Sequence, residues 1–491
     1  MLKEPAHIRI LKAVGAHSLG VGVVMAARII YPPLFLRAWG VELYGEWLIL
    51  SSAVLYLLLA DLGGQLYIGN RLAEVYAKGD QKTFVKLLHT GMAMFLLVPS
   101  VMFLLFVAAV SYFPVWTTFS VAETPHQVVF WVLTLLALQV CISLPIGILM
   151  GVYRAVGMLP RSAMLNNLNQ LLQLALVSTA LWFGVGMTGI AVAHLAPVVI
   201  VAAISLGELH RLHPEFNIRS LRSADWKMAR EFIKPSAHFF SIQISQALTM
   251  QSVLLIVGAL LNSAQVVLFA ALRTVANSIR QVLAILMNSV WPDMTRLYAM
   301  DESGKLVMLF HVMLRATLVA SVIFIGIFHY LGERIFELWL GKQVGYRQIL
   351  MDLFLIYAFQ FVFWTSCSNL LMAINRHHEI SVLLLVSAVV TVVCVFFGGK
   401  QFGLAGVIGG LVAADLILPF WAVPMLLRKY VPSFSARFYL GEIVPALLAI
   451  GLIMWTPWTI PVVGAGLLIW LVRVFPRNSV LGRWRIRWKN D

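Results

Sequence analysis

Charge is scarce in this chain: 12% of its 491 residues are Asp, Glu, Lys or Arg, while 61% are hydrophobic. A soluble globular protein covers its surface with about 25% charged residues, so that class is excluded and an integral membrane protein is indicated. Cysteine is almost missing. Cys141, Cys367 and Cys394 each lie in an apolar run without CxxC spacing, which excludes a disulfide framework and a cysteine metal site. No Gly-rich loop ends in Lys-Ser/Thr, so ATP does not drive the protein directly. Acidic residues number 21 against 36 basic ones, and the positions of those cations carry information.

Runs of roughly 17–25 apolar residues are long enough to cross a bilayer. Fourteen can be read: 13–36, 44–68, 87–112, 128–151, 165–184, 187–206, 239–261, 266–290, 307–331, 350–374, 380–397, 402–427, 439–455 and 458–474. The first is too long for a cleaved leader and is expected to stay as a signal anchor. With the N-terminus inside, 27 of the 36 Lys and Arg residues fall on the inner side and five on the outer side. The other four, Arg28, Arg273, Arg280 and Arg315, lie within spans. That asymmetry places both termini in the cytoplasm. The basic charge is thus a topology signal, and nucleic acid is not an expected partner. The largest outer loops, 113–127 and 332–349, hold no paired carboxylates and no nucleophile motif. No catalytic residue, cofactor or metal is expected.

The expected fold is all-α and polytopic: two six-helix bundles, 1–207 and 238–428, joined by a basic cytoplasmic linker, 208–237. Residues 429–491 supply two accessory helices and a basic tail. Six is even, so both bundles enter the membrane in the same direction and any repeat is parallel. Arg71-Leu72 and Gly79 recur as Arg296-Leu297 and Gly304. Leu149-Met150, Arg154, Ala191 and Pro197 recur as Leu371-Met372, Arg376, Ala413 and Pro419.

One stretch is distinctive. A Gly-x-x-x-Tyr-Gly turn runs from Gly40 to Gly45 inside Trp39-Gly-Val-Glu-Leu-Tyr-Gly-Glu-Trp47. Asp61-Leu-Gly follows, and then the amphipathic loop from Asn70 to Asp80. With Glu337-Leu-Trp-Leu-Gly341, these words resemble the bacterial polysaccharide-unit flippases of the multidrug/oligosaccharidyl-lipid/polysaccharide exporter superfamily. The resemblance implies two bundles around a central cavity and a multi-pass location in the bacterial inner membrane. It also implies a lipid-linked oligosaccharide as cargo, membrane lipids around it, and a polysaccharide polymerase and chain-length regulator as partners.

A charged side chain at the bilayer centre is costly, and it marks a pathway or a buried pair. Arg273, Asn277 and Arg280 share one face of the eighth span, with Asn288 in the same stripe. Arg28 precedes Pro32-Pro33, which are expected to bend the first span. Snorkelling or pairing with Asp61 or Asp415 is the structural alternative for these arginines. The seventh span carries His238, Ser241, Ser245, Thr249 and Ser252, with Gln246 beside them, and the fifth carries Asn166, Gln170 and Gln173. Such rows glue helices together or line a hydrophilic cavity. Asp61 and Asp415 are the expected buried acids, either neutralising arginines or carrying a coupling proton or sodium ion. Arg315 is expected at the inner interface. His377-His378 are expected in solvent, and Arg483 to Lys489 against anionic headgroups.

Arginine forks suit a diphosphate, so Arg28, Arg273 and Arg280 are its expected binders, with Asn277, Ser245, Gln246 and Thr249 for sugar hydroxyls. The alternatives are a multidrug cation antiporter of the same superfamily, a peptidoglycan-precursor flippase, and a membrane polymerase or ligase. The antiporter favours an acidic cavity, and the polymerase needs reactive outer loops.

Overall fold

The structure is a computed structural model that describes residues 6–113, 121–217, 220–456, 459, 463–467 and 470. Among them there is no strand, as expected where backbone groups must be satisfied inside a bilayer. Nine segments of the described chain are long and apolar enough to cross a membrane. Two of these, Ser18–Ala77 (60 residues) and His378–Tyr430 (53 residues), would each be far longer than a bilayer is thick if straight. Each is broken by a glycine in the left-handed region, Gly40 (φ 77°) and Gly403 (φ 59°), where a side chain is disfavoured. Each therefore supplies two spans. Helices Leu159–Trp182 and Ser263–Ala299 are long enough to cross but more polar, which brings the described spans to thirteen. The run 458–474 lies largely outside the described residues.

The chain forms two compact units, Met1–Val267 and Leu268–Asp491. The seventh span groups with the first six. It contacts them through Phe232 in the inner core and through polar bonds to the second span, described below.

Within the first unit, the family-like words have structural roles. Gly40 is the break between spans. A Cβ on Gly45 would lie 2.2 Å from the carbonyl oxygen of Ser263, so only glycine fits there. Glu46 is 1% exposed, and its carboxylate accepts the backbone N–H groups of Ala122, Glu123 and Thr124 and the Thr124 hydroxyl. Those bonds satisfy the carboxylate and hold the approach to the helix His126–Ala155. Pro32 and Pro33 lie inside the first helix, whose one non-helical residue is Gly40. The chain interruption falls at the glycine and not at the prolines.

The linker is docked. Phe216 packs on Phe84 with centroids 4.5 Å apart, and His213 stacks on Phe216. The buried His89 ring bonds the carbonyls of Phe216 and Asn217 through Nε2. Lys86 pairs with Asp225 at 2.6 Å, and Asp225 caps helix Trp226–Ala247 by accepting the Lys227 N–H. The Lys86 contact holds the Asp225 carboxyl below its usual range.

Candidate functional site

Two polar clusters sit within the apolar spans, one in each unit. In the first unit, the second span begins as helix and tightens to a 3-10 segment, Leu55–Asp61. It then breaks at Leu62 and Gly63, both with positive φ, before Gly64–Ala77 resumes. Asp61, 8% exposed, stands at that break. Its Oδ1 accepts the Gln65 N–H at 3.1 Å, and its Oδ2 accepts the side-chain amide of Gln243 on the seventh span at 2.5 Å. These donors are neutral, and no ion pair involves Asp61 among the described residues. The Oε1 of Gln243 is buried with no hydrogen-bond partner among them.

The seventh span is itself irregular. Trp226–Ala247 passes into a π-helical segment, Leu248–Ser252, and then into Val253–Leu260. π-bulges are rare and occur often at functional sites. Ser245 and Thr249 return their hydroxyl protons to the carbonyls of Ser241 and Ser245, at 2.7 and 2.8 Å. Both hydroxyls keep lone pairs, so each can accept from a ligand. Ser245 is buried and Gln246 exposed. Ser252 bonds the hydroxyl of Tyr56 and ties the seventh span to the second.

Arg28 is exposed, and no ion pair involves it among the described residues. In the fifth span Gln173 bonds His194, whose ring lies 5.5 Å from that of Trp47. The Oε1 of Gln170 is buried without a partner among the described residues. Asn166 is exposed.

The second unit gathers Arg273, Asn277, Arg280 and Asp415. Arg280 Nη1 donates to Asn277 Oδ1 at 3.0 Å, one turn away. Its guanidinium lies over the Phe361 ring, 3.2 Å from the centroid, and Arg273 lies over Phe269 at 5.3 Å. A desolvated cation–π contact is worth about 2 kcal/mol or more. Phe361 belongs to helix Gln348–Ala373, which also presents Tyr357 and Trp364 one turn to either side. The Trp364 indole N–H donates to Asp415 Oδ2 at 2.9 Å, and Arg280 is within electrostatic reach of both Asp415 and Tyr357. Asn288 has a side chain outside the described set.

Arg315 is packed inside the protein, 7% exposed. It donates Nε to Glu442 Oε2 at 2.8 Å and Nη1 to the Trp470 carbonyl at 2.6 Å, and Nη2 bonds Glu442 Oε1. His311 Nε2 meets the same Glu442 oxygen at 2.6 Å. Glu442 lies on accessory helix Ala436–Trp455, so this network ties that helix to Ser303–Leu340. Glu46 and Glu442 are thus two further buried acids that the sequence reading does not single out. The signal for each is an acid inside or at the mouth of an apolar run. His378 is exposed, while His377 and the tail from 471 onward are outside the described side chains.

No group of three or more His, Cys, Asp or Glu among the described residues is placed to hold a metal ion. No family model matches the chain, and no curated protein does. Solved structures do. An inward-facing multidrug resistance MATE family transporter of the MOP superfamily aligns with TM-score 0.66 and 14% identity, over 88% of this chain and 100% of that one. The lipid II flippase MurJ, in an inward closed conformation, aligns with TM-score 0.66 and 11% identity, over 90% of this chain and 91% of that one. An outward-facing multidrug resistance MATE family transporter aligns with TM-score 0.56 and 13% identity, over 87% of this chain and 96% of that one. The chain thus has the fold of these membrane transporters and flippases.

Proposed function

We propose that this protein is a flippase that moves an undecaprenyl-diphosphate-linked oligosaccharide repeat unit across the bacterial inner membrane for surface polysaccharide synthesis. The observation that carries this proposal is Arg280. It is a guanidinium in the eighth span, half-buried, laid on an aromatic ring and steadied by Asn277. A permanently charged planar fork with a fixed orientation is suited to a diphosphate, and Arg273 on the same face adds a second charge. Arg28, Asn277, Ser245, Gln246 and Thr249 are the further residues proposed to contact headgroup and sugar. The likeness to the MurJ lipid II flippase supports a lipid-linked cargo. In the cell, the cargo would pass to a polymerase and a chain-length regulator.

The test is a deletion strain analysed for surface polysaccharide and for undecaprenyl-linked intermediates. Loss of the polysaccharide with accumulation of the lipid-linked unit supports the proposal.

A second reading, export of organic cations, is favoured by Asp61, whose bonded neighbours are neutral, and by the MATE structures. It predicts raised sensitivity to cationic dyes with the polysaccharide intact.

A further inference from the structure

We infer that the cavity between the turn after helix Gly64–Ala77 and the linker turn Pro214–Phe216 holds the headgroup of an aminophospholipid of the inner leaflet. The cavity has a volume of about 410 Å³, within the roughly 300–1,000 Å³ typical of small-ligand pockets. Its floor is aromatic. Phe84 and Phe216 are buried there, and Tyr76, 38% exposed, has its ring 5.6 Å from that of Phe84 and 6.4 Å from that of Phe216. Asp80 and Glu215 add two carboxylates, one from each side of the cavity, and Gln81 adds an amide. Hydrogen bonds from Thr83 hold the Asp80 carboxyl below its usual range, so it is ionised at neutral pH. No ion pair involves Asp80 among the described residues. The ionic partner of Glu215 among them is His213, at 2.9 Å, which is charged only when protonated. Of the described residues that line the cavity, none is Lys or Arg. Carboxylates beside aromatic faces select a cation, which the rings attract as well.

Depth points to the source of that cation. Helix Gln81–Tyr112 enters its apolar run at Leu87, so Phe84 and Gln81 lie about 4.5 and 9 Å before the hydrocarbon at 1.5 Å per residue. The headgroup layer occupies about 5–7 Å on each side of the bilayer core. The cavity therefore lies at the level where lipid ammonium groups are concentrated. A primary ammonium carries three N–H donors, enough to serve both carboxylates while it rests on the ring faces. Lys82 is exposed and within electrostatic reach of Asp80, where it can meet the phosphate of the same headgroup. A glycerol headgroup would bring only hydroxyls and a net negative charge to these carboxylates. None of these residues belongs to the proposed cargo set, so the site does not rest on the flippase reading.

The experiment is equilibrium binding of tritiated dioctanoyl-phosphatidylethanolamine to the purified full-length protein in detergent. Wild type should bind it saturably. Unlabelled phosphatidylethanolamine should displace the label at least about fivefold better than dioctanoyl-phosphatidylglycerol or the N-acetylated lipid, which lacks the ammonium. Asp80→Asn combined with Glu215→Gln should erase that preference, and asparagine keeps the helix cap that Asp80 supplies. Tyr76→Leu should weaken binding by about twofold to fivefold. Variants are compared with wild type by size-exclusion profile. If the double variant does not fold, Tyr76→Leu decides, and unchanged binding there overturns the site. Headgroup-blind binding by wild type, as at an ordinary annular position, overturns it, as does an unchanged preference in the folded double variant. Full displacement by soluble phosphoethanolamine, or by N-acetylarginine amide, at the concentration of the lipid would assign the cavity to a metabolite or a basic peptide and overturn the lipid assignment.

Discussion

Arg280 lies over the ring of Phe361, 3.2 Å from its centroid, with Asn277 holding one of its nitrogens. The contact aligns the guanidinium and partly replaces its lost hydration. Arg280→Ala should therefore abolish complementation of a deletion strain, by more than about tenfold, with normal protein abundance. Arg280→Lys should rescue partly, because lysine keeps the charge but not the fork. Arg273→Ala should be milder. If Arg280 were only a helix tie to Asp415, Arg280→Ala would instead lower abundance, and Asp415→Ala in the same chain would restore it. Complementation normalised to membrane protein level separates the two.

The accessory helix is held by charge. Removing Arg315 leaves Glu442 buried without its main partner, which costs about 3–5 kcal/mol. Arg315→Ala should lower thermal stability in detergent and membrane abundance. Replacing both residues by apolar ones, Arg315→Met with Glu442→Leu, should restore most of the loss. Equal destabilisation of single and double variants would contradict this.

The spans are legible in the sequence because hydropathy reports the solvent directly, and the glycines at 40 and 403 carry the breaks between them. Partners are not legible. The sequence suggests an arginine beside Asp61, but its side-chain partner is a neutral amide 182 positions away. Depth along the helix does not say which face Arg315 occupies, and the acid that it meets lies 127 positions on, in an accessory helix. Glu46 stands inside the most distinctive stretch of the sequence. Its role, receiving three backbone N–H groups of a distant loop, depends on contacts that no local pattern encodes.

The docked linker should respond to pH with a defined sign. Asp225 is depressed in the folded state, so its contribution is present above its ordinary value of 3.8 and is lost as pH falls through the lower folded value. In inside-out vesicles, protease cleavage near Arg222 and Lys227 should be slow and flat from neutral pH down to about 5. It should rise only below about 4 when assayed with an acid-active protease. Asp225→Ala should raise cleavage at neutral pH, while unchanged cleavage would contradict the role given to the Lys86–Asp225 pair.

Topology can be tested independently. A reporter fused after Asp491 or within residues 211–234 should read as cytoplasmic, and one near Glu333 as periplasmic. A cytoplasmic signal at Glu333 together with a cytoplasmic tail would mean that the spans between them are miscounted.

The central claim is that the cargo is a lipid-linked glycan. It is tested most directly by sidedness of that lipid: isolate the deletion strain carrying wild-type or Arg280→Ala protein, and label the undecaprenyl-linked oligosaccharide accessible from the periplasmic face. The account predicts abundant outer-leaflet glycan with wild type and accumulation confined to the inner leaflet with Arg280→Ala. Outer-leaflet glycan at wild-type level in the deletion strain itself, alongside raised sensitivity to cationic dyes, would contradict it.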